Sequence, residues 1–168
     1  MVTRLADPRV VAATVTDPEL PQLTLDDLGV LGDVVVDQAG TVVVDLLPTY
    51  SGCPAIDAMR DDVVAALRRA GYDDIDVRVQ LSPAWSSDRI SAAGRRKLAE
   101  AWIAPPGPAP ARVPGAAIPI TLRPTTRLTC PHCGSADTVE VSRFGATACK
   151  SLHRCRECTE PFEHFKAL

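Results

Sequence analysis

The sequence predicts an α/β chain in two parts: helices packed on a three-stranded sheet, then a small cysteine-rich β module. Three observations carry this. Runs of β-branched residues and one well-formed helical repeat fill the first hundred residues, a proline-dense stretch follows Ala104, and beyond it four of the six cysteines stand as two CxxC pairs.

Taken in order, a short helix near Pro8 to Thr14 opens the chain, and "TDPEL" follows as a turn. "LGVLGDVVVD" and "TVVVDLLPTY" are strand-like and flank "QAG", which reads as a hairpin. Ile56, Met59, Val63, Leu67 and Ala70 then recur at helical spacing, and Gly71 stands where a left-handed C-terminal cap belongs. "DIDVRVQL" sets Ile75, Val77, Val79 and Leu81 inward against polar neighbours, a third strand with one wet face. A last helix is expected from about Asp88 to Trp102, capped by Ser87 or Asp88, with Ile90, Leu98 and Trp102 on its buried side. The order α-β-β-α-β-α makes a small α/β sandwich.

From Ala104 the chain reads "APPGPAPARVPGAAIPITLRP", with seven of its 15 prolines between Pro105 and Pro124. Each proline fixes φ and removes an N–H donor, so this stretch is expected to be an extended spacer. The expected modules are therefore residues 1–104 and 126–168, joined by a linker over 105–125.

Charge narrows the function. The net value is −3, and residues 1–104 hold ten Lys/Arg against sixteen Asp/Glu, a poor surface for attracting nucleic acid or an anionic membrane. Charges at Arg4, Asp7, Arg9, Asp17 and Glu19 interrupt the first twenty residues, so no secretory signal is expected. No stretch has the length and apolarity of a membrane span. The expected compartment is the cytoplasm, where paired cysteines mean metal more often than disulfide.

In the tail, Cys130 and Cys133 form one CxxC and Cys155 and Cys158 another, with 21 residues between the pairs. Two residues between thiolates let both sulfurs of a knuckle face one ion, and the intervening strands bring the second knuckle opposite to close a tetrahedron. This spacing is that of a zinc ribbon. A module of this size buries too little apolar surface to fold unaided, so a structural metal is also what its energetics require. Four thiolates leave no open position, which argues against catalysis at the metal; iron or an iron-sulfur cluster in the same sulfurs is the alternative. Cys149 stands outside the pattern, either as a buried small hydrophobe or as a spare thiolate beside Lys150. His132, His153 and His164, the only histidines, read as surface or supporting residues rather than ligands, and Phe144, Phe162 and Phe165 as core.

Cys53 is the one cysteine of the first module. Gly52 precedes it and Pro54 follows, so it is expected at or beside the N-cap of the helix, where unpaired N–H groups favour a thiolate. Thr49 is expected to offer a hydroxyl to the same pocket. No histidine lies within the first 129 residues to serve as a base, so a Cys-His hydrolase is disfavoured and a soft-metal or iron-sulfur ligand favoured.

"DPEL" at 17 to 20, "TYSGCP" at 49 to 54 and "LSPAWSSDRISAAGRRKL" at 81 to 98 resemble the metal-sulfur cluster biosynthetic domain, a family of iron-sulfur assembly proteins. With the tail "CPHCGS" and "FGATACKSLHRCRECTEPFEHFK", the whole chain resembles the PaaD (also PaaJ) family of bacterial phenylacetate degradation. The resemblance implies an accessory role, without catalysis of its own, in the phenylacetyl-CoA 1,2-epoxidase system. Its implied partners are the di-iron oxygenase or the flavin/[2Fe-2S] reductase, together with the iron-sulfur assembly machinery, and a homodimer sharing a transient cluster is open. It also implies Cys53 as the cluster-assembly thiol, with Asp17, Glu19 and Thr49 in the surrounding motif, and zinc on Cys130, Cys133, Cys155 and Cys158. The chain lacks the Glu-x-x-His pairs of a di-iron bundle, GxGxxG and plant-type ferredoxin spacing, so it is expected to assist the oxygenase rather than carry out its chemistry. The alternative reading is a ribbon that docks nucleic acid or protein. No nucleic acid is expected on a tail with six basic and five acidic residues.

Overall fold

The computed structural model describes residues 5–109 and 128–168. Most of the expected proline-rich linker lies outside the described residues. The chain divides into two compact units, one up to Gly94 and one from Arg95 onward.

In the first unit, α1 (Pro8–Ala12) begins with proline in its first turn and the Asp7 carboxylate accepting from the Arg9 N–H at 2.8 Å. Strands β1 (Leu31–Val36) and β2 (Val42–Leu46) form the expected antiparallel hairpin. Its turn closes because Asp37 Oδ1 accepts from the Ala39 and Thr41 N–H groups, each at 2.9 Å. Helix α2 (Ile56–Arg69) then crosses over, so that β3 (Ile75–Val79) pairs parallel to β2 with Val44 opposite Val77. The sheet order is β1-β2-β3.

The helical repeat keeps its face: Met59, Val63 and Leu67 are buried, joined by Ala66. Gly71, at φ +96°, ends the helix by letting the Tyr72 N–H reach Leu67 O at 3.1 Å and its own N–H reach Arg68 O at 3.0 Å. That pair of bonds satisfies carbonyls the helix would otherwise leave open.

Three expectations are corrected here. Leu81 lies beyond β3 and is exposed, because the strand ends at Val79. The helix expected over 88–102 is two elements: a 3-10 turn (Ser87–Arg89) capped by Ser86, and α3 (Ala92–Glu100). Ile90 takes an extended ψ of 122° between them, and α3 restarts with the Ser91 hydroxyl accepting the Gly94 N–H at 2.9 Å. Ile90 and Leu98 are buried as expected, but Trp102 is exposed, because the helix stops at Glu100 and Trp102 turns to φ +61°. Residues 15–30, which carry no regular repeat, also build core: Leu20, Leu23, Leu25, Leu28 and Val30 are all buried, and Trp85 Nε1 donates to Leu28 O at 3.0 Å.

The second unit is a four-stranded sheet in the order β4-β7-β6-β5. Here β4 is Ile103–Ala104, β5 Thr138–Ser142, β6 Lys150–Cys155 and β7 Pro161–Phe165. β5, β6 and β7 are antiparallel neighbours, and β4 runs parallel to β7, so residues placed by sequence at the end of the first module contribute a strand to the cysteine-rich sheet. Phe162 and Phe165 are core, whereas Phe144 is exposed with the Lys166 ammonium 4.5 Å above its ring.

Candidate metal centre and cluster-assembly thiol

The four knuckle cysteines converge. Their sulfurs all lie within 4.8 Å of one another, with Cys130 to Cys158 at 3.7 Å and Cys133 to Cys155 at 3.6 Å. A tetrahedron with zinc–sulfur bonds of about 2.3 Å has sulfur–sulfur edges of about 3.8 Å, so the donor set fits the ion in size and in kind. Backbone geometry presents each knuckle. The Gly134 N–H bonds Cys130 O at 2.9 Å with Gly134 at φ +77°, and Thr159, at φ +64°, plays the matching part after Cys158.

Around these sulfurs the apolar cluster is small: Ala104, Leu128, Cys130, Cys155 and Phe162, with Cys158 packed against it. Two of its five members are ligands, so the metal is part of the core. The thiols differ in acidity. The Cys158 N–H draws Cys155 down to about 7, whereas at Cys158 the Glu160 N–H pulls downward but burial and the three neighbouring thiols outweigh it, to about 12. At Cys133 the Ser135 N–H lowers, while burial and the Cys155 and Cys130 thiols carry the net shift upward.

His132, inside the first knuckle, stacks on the exposed Trp102 ring with centroids 4.7 Å apart and planes 9° off parallel. Cys149 is buried, with Sγ 3.0 Å from Thr147 Oγ1. Beside it Lys150, buried, pairs with Glu163 at 2.7 Å, and Glu163 also accepts from the Ala146 N–H at 3.0 Å. No disulfide joins any of the six cysteines.

Cys53 is half-buried in the loop between β2 and α2. It stands two residues ahead of the helix cap, which is Ala55, a correction to the expected capping position: its N–H bonds Tyr50 O at 3.3 Å and its carbonyl accepts from Ile56 at 3.4 Å. The proline therefore precedes the cap instead of entering the first turn. Asp17 is buried and closes the "DPEL" turn, its carboxylate accepting from the Glu19 and Leu20 N–H groups at 2.8 Å each. Glu19 is exposed and Thr49 half-buried. What sequence reasoning missed is the burial of His153 and of the Nε2 atom of the half-buried His164; its signal was alternation along "KSLHRC" and "PFEHF".

The two units match two different family models. Residues 10–84 match an iron-sulfur cluster assembly protein model, and residues 116–166 match the PaaD zinc beta ribbon domain. Fold and site thus define an iron-sulfur assembly module joined to a zinc ribbon, with the four thiolates as its structural zinc site. The chain is 39% identical over 154 residues to a putative 1,2-phenylacetyl-CoA epoxidase subunit of Escherichia coli (strain K12), covering 92% of this chain and 87% of that one. It belongs to that PaaD family. The first module alone is 35% identical over 78 residues to the Fe-S protein maturation auxiliary factor SufT of Staphylococcus aureus (strain USA300), across 46% of this chain and 88% of the relative. A solved DUF59 domain from Bacillus anthracis shares its fold at TM-score 0.50 and 29% identity, over 54% of this chain and 87% of the domain. Among the described residues no helix is long and apolar enough to cross a membrane.

Proposed function

We propose that the chain is an accessory maturation factor for the phenylacetyl-CoA 1,2-epoxidase system, assisting assembly of an iron-sulfur or iron centre in one of its components. The observation that carries this is the similarity to a putative epoxidase subunit along 92% of the chain, with a first module that separately resembles Fe-S maturation factors. In this reading Cys53 is the thiol that meets the labile iron-sulfur cargo. A thiolate ligates a soft metal without any general base, and the helix that follows lends its N-terminal dipole to a negative ligand nearby. The ribbon docks the client, the di-iron oxygenase or the flavin/[2Fe-2S] reductase. Its zinc is closed by four thiolates and holds the docking surface in shape rather than reacting. Asp17 acts through the turn it closes, with Glu19 and Thr49 in the surrounding motif.

The test is metal and acid-labile sulfide content, with a visible spectrum, on anaerobically purified wild type and Cys53→Ser, alongside the metal loading and activity of the cellular epoxidase. Expected are about one zinc per chain in both proteins, a sulfide-containing chromophore lost in the variant, and an under-loaded epoxidase. An epoxidase fully loaded and active beside Cys53→Ser would sink the mechanism.

A further inference from the structure

A groove of about 1080 Å³ lies on one face of the ribbon sheet; among the described residues its lining includes Glu140, Ser151, His153 and His164, together with the cations Arg143 and Lys166. Strand register explains the grouping. Glu140 stands opposite His153 and Ser151 opposite His164, so alternate residues of three adjacent strands share that face.

The two histidines point nitrogens at one place. Ser151 Oγ is 3.0 Å from His153 Nε2 and 3.3 Å from His164 Nδ1, and the rings meet edge to face with centroids 5.5 Å apart. Ser151 and His153 are almost wholly buried, and among the described residues the other nitrogen of His164, Nε2, is buried without a hydrogen-bond partner.

We propose that His153 and His164 form a second metal site, separate from the four thiolates, that takes a divalent first-row transition ion through two imidazole nitrogens. An imidazole bound at about 2.1 Å holds its ring centroid about 3.2 Å from the ion, so two rings on one ion lie no more than about 6.4 Å apart. The observed 5.5 Å is inside that limit. The chemistry also fits: imidazole suits iron, cobalt, nickel, copper and zinc, and a metal-binding imidazole must be neutral. Burial, helped by His153 and the Lys166 ammonium, holds His164 at about 4, so it is neutral at physiological pH. Among the described residues the four thiols are the one group of three or more Cys, His, Asp or Glu ligand atoms within 4.8 Å. Two protein nitrogens hold the ion, the Ser151 hydroxyl stands between them, and the groove supplies the remaining positions from water or from a visiting ligand. Such a site exchanges its metal, where the thiolate site retains it.

The experiment uses the full chain with zinc already in the four-thiolate site and Co²⁺ as the probe. One further equivalent is expected, with the weak d–d bands of nitrogen and oxygen ligation and no sulfur-to-cobalt charge transfer. His164→Leu and His153→Phe are each expected to weaken this binding at least about tenfold while retaining their zinc. Should a variant fail to fold, the wild type still decides: bound Co²⁺ must shift and broaden the imidazole resonances of His153 and His164 far more strongly than those of His132. Binding only by exchange into the thiolate site, no binding, or binding indifferent to both substitutions would overturn the proposal. None of these outcomes bears on Cys53, so the maturation reading stands or falls separately.

Discussion

Each knuckle cysteine supplies both a metal bond and a share of a very small core, so removing one is expected to remove both. Any of Cys130→Ser, Cys133→Ser, Cys155→Ser or Cys158→Ser should abolish stoichiometric zinc and the tertiary signal of the ribbon, since a structural zinc contributes on the order of 10 kcal/mol or more to such a fold. Cys149→Ala should keep its zinc, and metal analysis with near-ultraviolet circular dichroism separates the two results. Lys150 is the buried charge whose partner matters most. Glu163→Ala strands its ammonium and is expected to cost about 3–5 kcal/mol, whereas an apolar replacement of both residues should recover most of that in a denaturant titration. His164 gives the unit a pH dependence with a definite sign. Its folded value of about 4 lies below the ordinary 6.5, so the unfolded chain takes up the proton first. Its contribution is complete above about pH 6.5 and is lost as pH falls toward 4. Thermal melts of the zinc-loaded protein should show this slope, and His164→Gln should flatten it; identical slopes would refute the assignment.

At the scale of elements, two glycines decide where helices can go. A Cβ on Gly94 would stand 2.5 Å from Asp27 O, a backbone atom that is also fixed by accepting from the Ser91 N–H at 2.9 Å. Gly94→Ala must therefore push α3 off the loop beneath it, and is expected to cost about 1–3 kcal/mol. Gly71→Ala forces a side chain into the left-handed region at the end of α2 and should cost about 1–2 kcal/mol. Urea midpoints that fall without a change in slope would match both. The helix and hairpin of the first module were legible in sequence because their signals are local: a 3.6-residue repeat closed by glycine, and β-branched runs around a turn. The break at Ile90 was not, because "SSDRISAAGRRKL" keeps helical spacing through it. Two serines compete to cap, and the Ser91 N–H is claimed by Asp27, more than sixty residues away.

At the scale of the whole chain, the two units draw their stability from different sources. The first buries Leu23, Leu25, Leu28, Val42, Val44, Leu46, Val63 and Leu67 almost completely. The second relies on a handful of apolar residues and its metal. Chelating the zinc is therefore expected to expose the amides of residues 128–168 to hydrogen exchange within seconds while those of β2 and α2 stay protected. Uniform loss of protection across both would contradict the division. Trp102 offers an optical report of the same event, because its ring rests on His132 inside the first knuckle, whereas Trp85 is buried in the other unit.

By itself the sequence determined the two-part plan, the strand–helix–strand crossover and the four metal ligands, because spacing along the chain is enough to specify a repeat, a turn or a chelate. Tertiary structure alone decided that Ile103 and Ala104 join the ribbon sheet, that Cys53 precedes the helix cap by two residues, that Trp102 lies on a knuckle, and that His153 and His164 share Ser151 beneath a groove. The physical reason for the first and the last is that they depend on register between paired strands, while the other two depend on where a helix starts or stops. A one-residue slip would send the strand side chains to the opposite face, and nothing local in the sequence records which register wins.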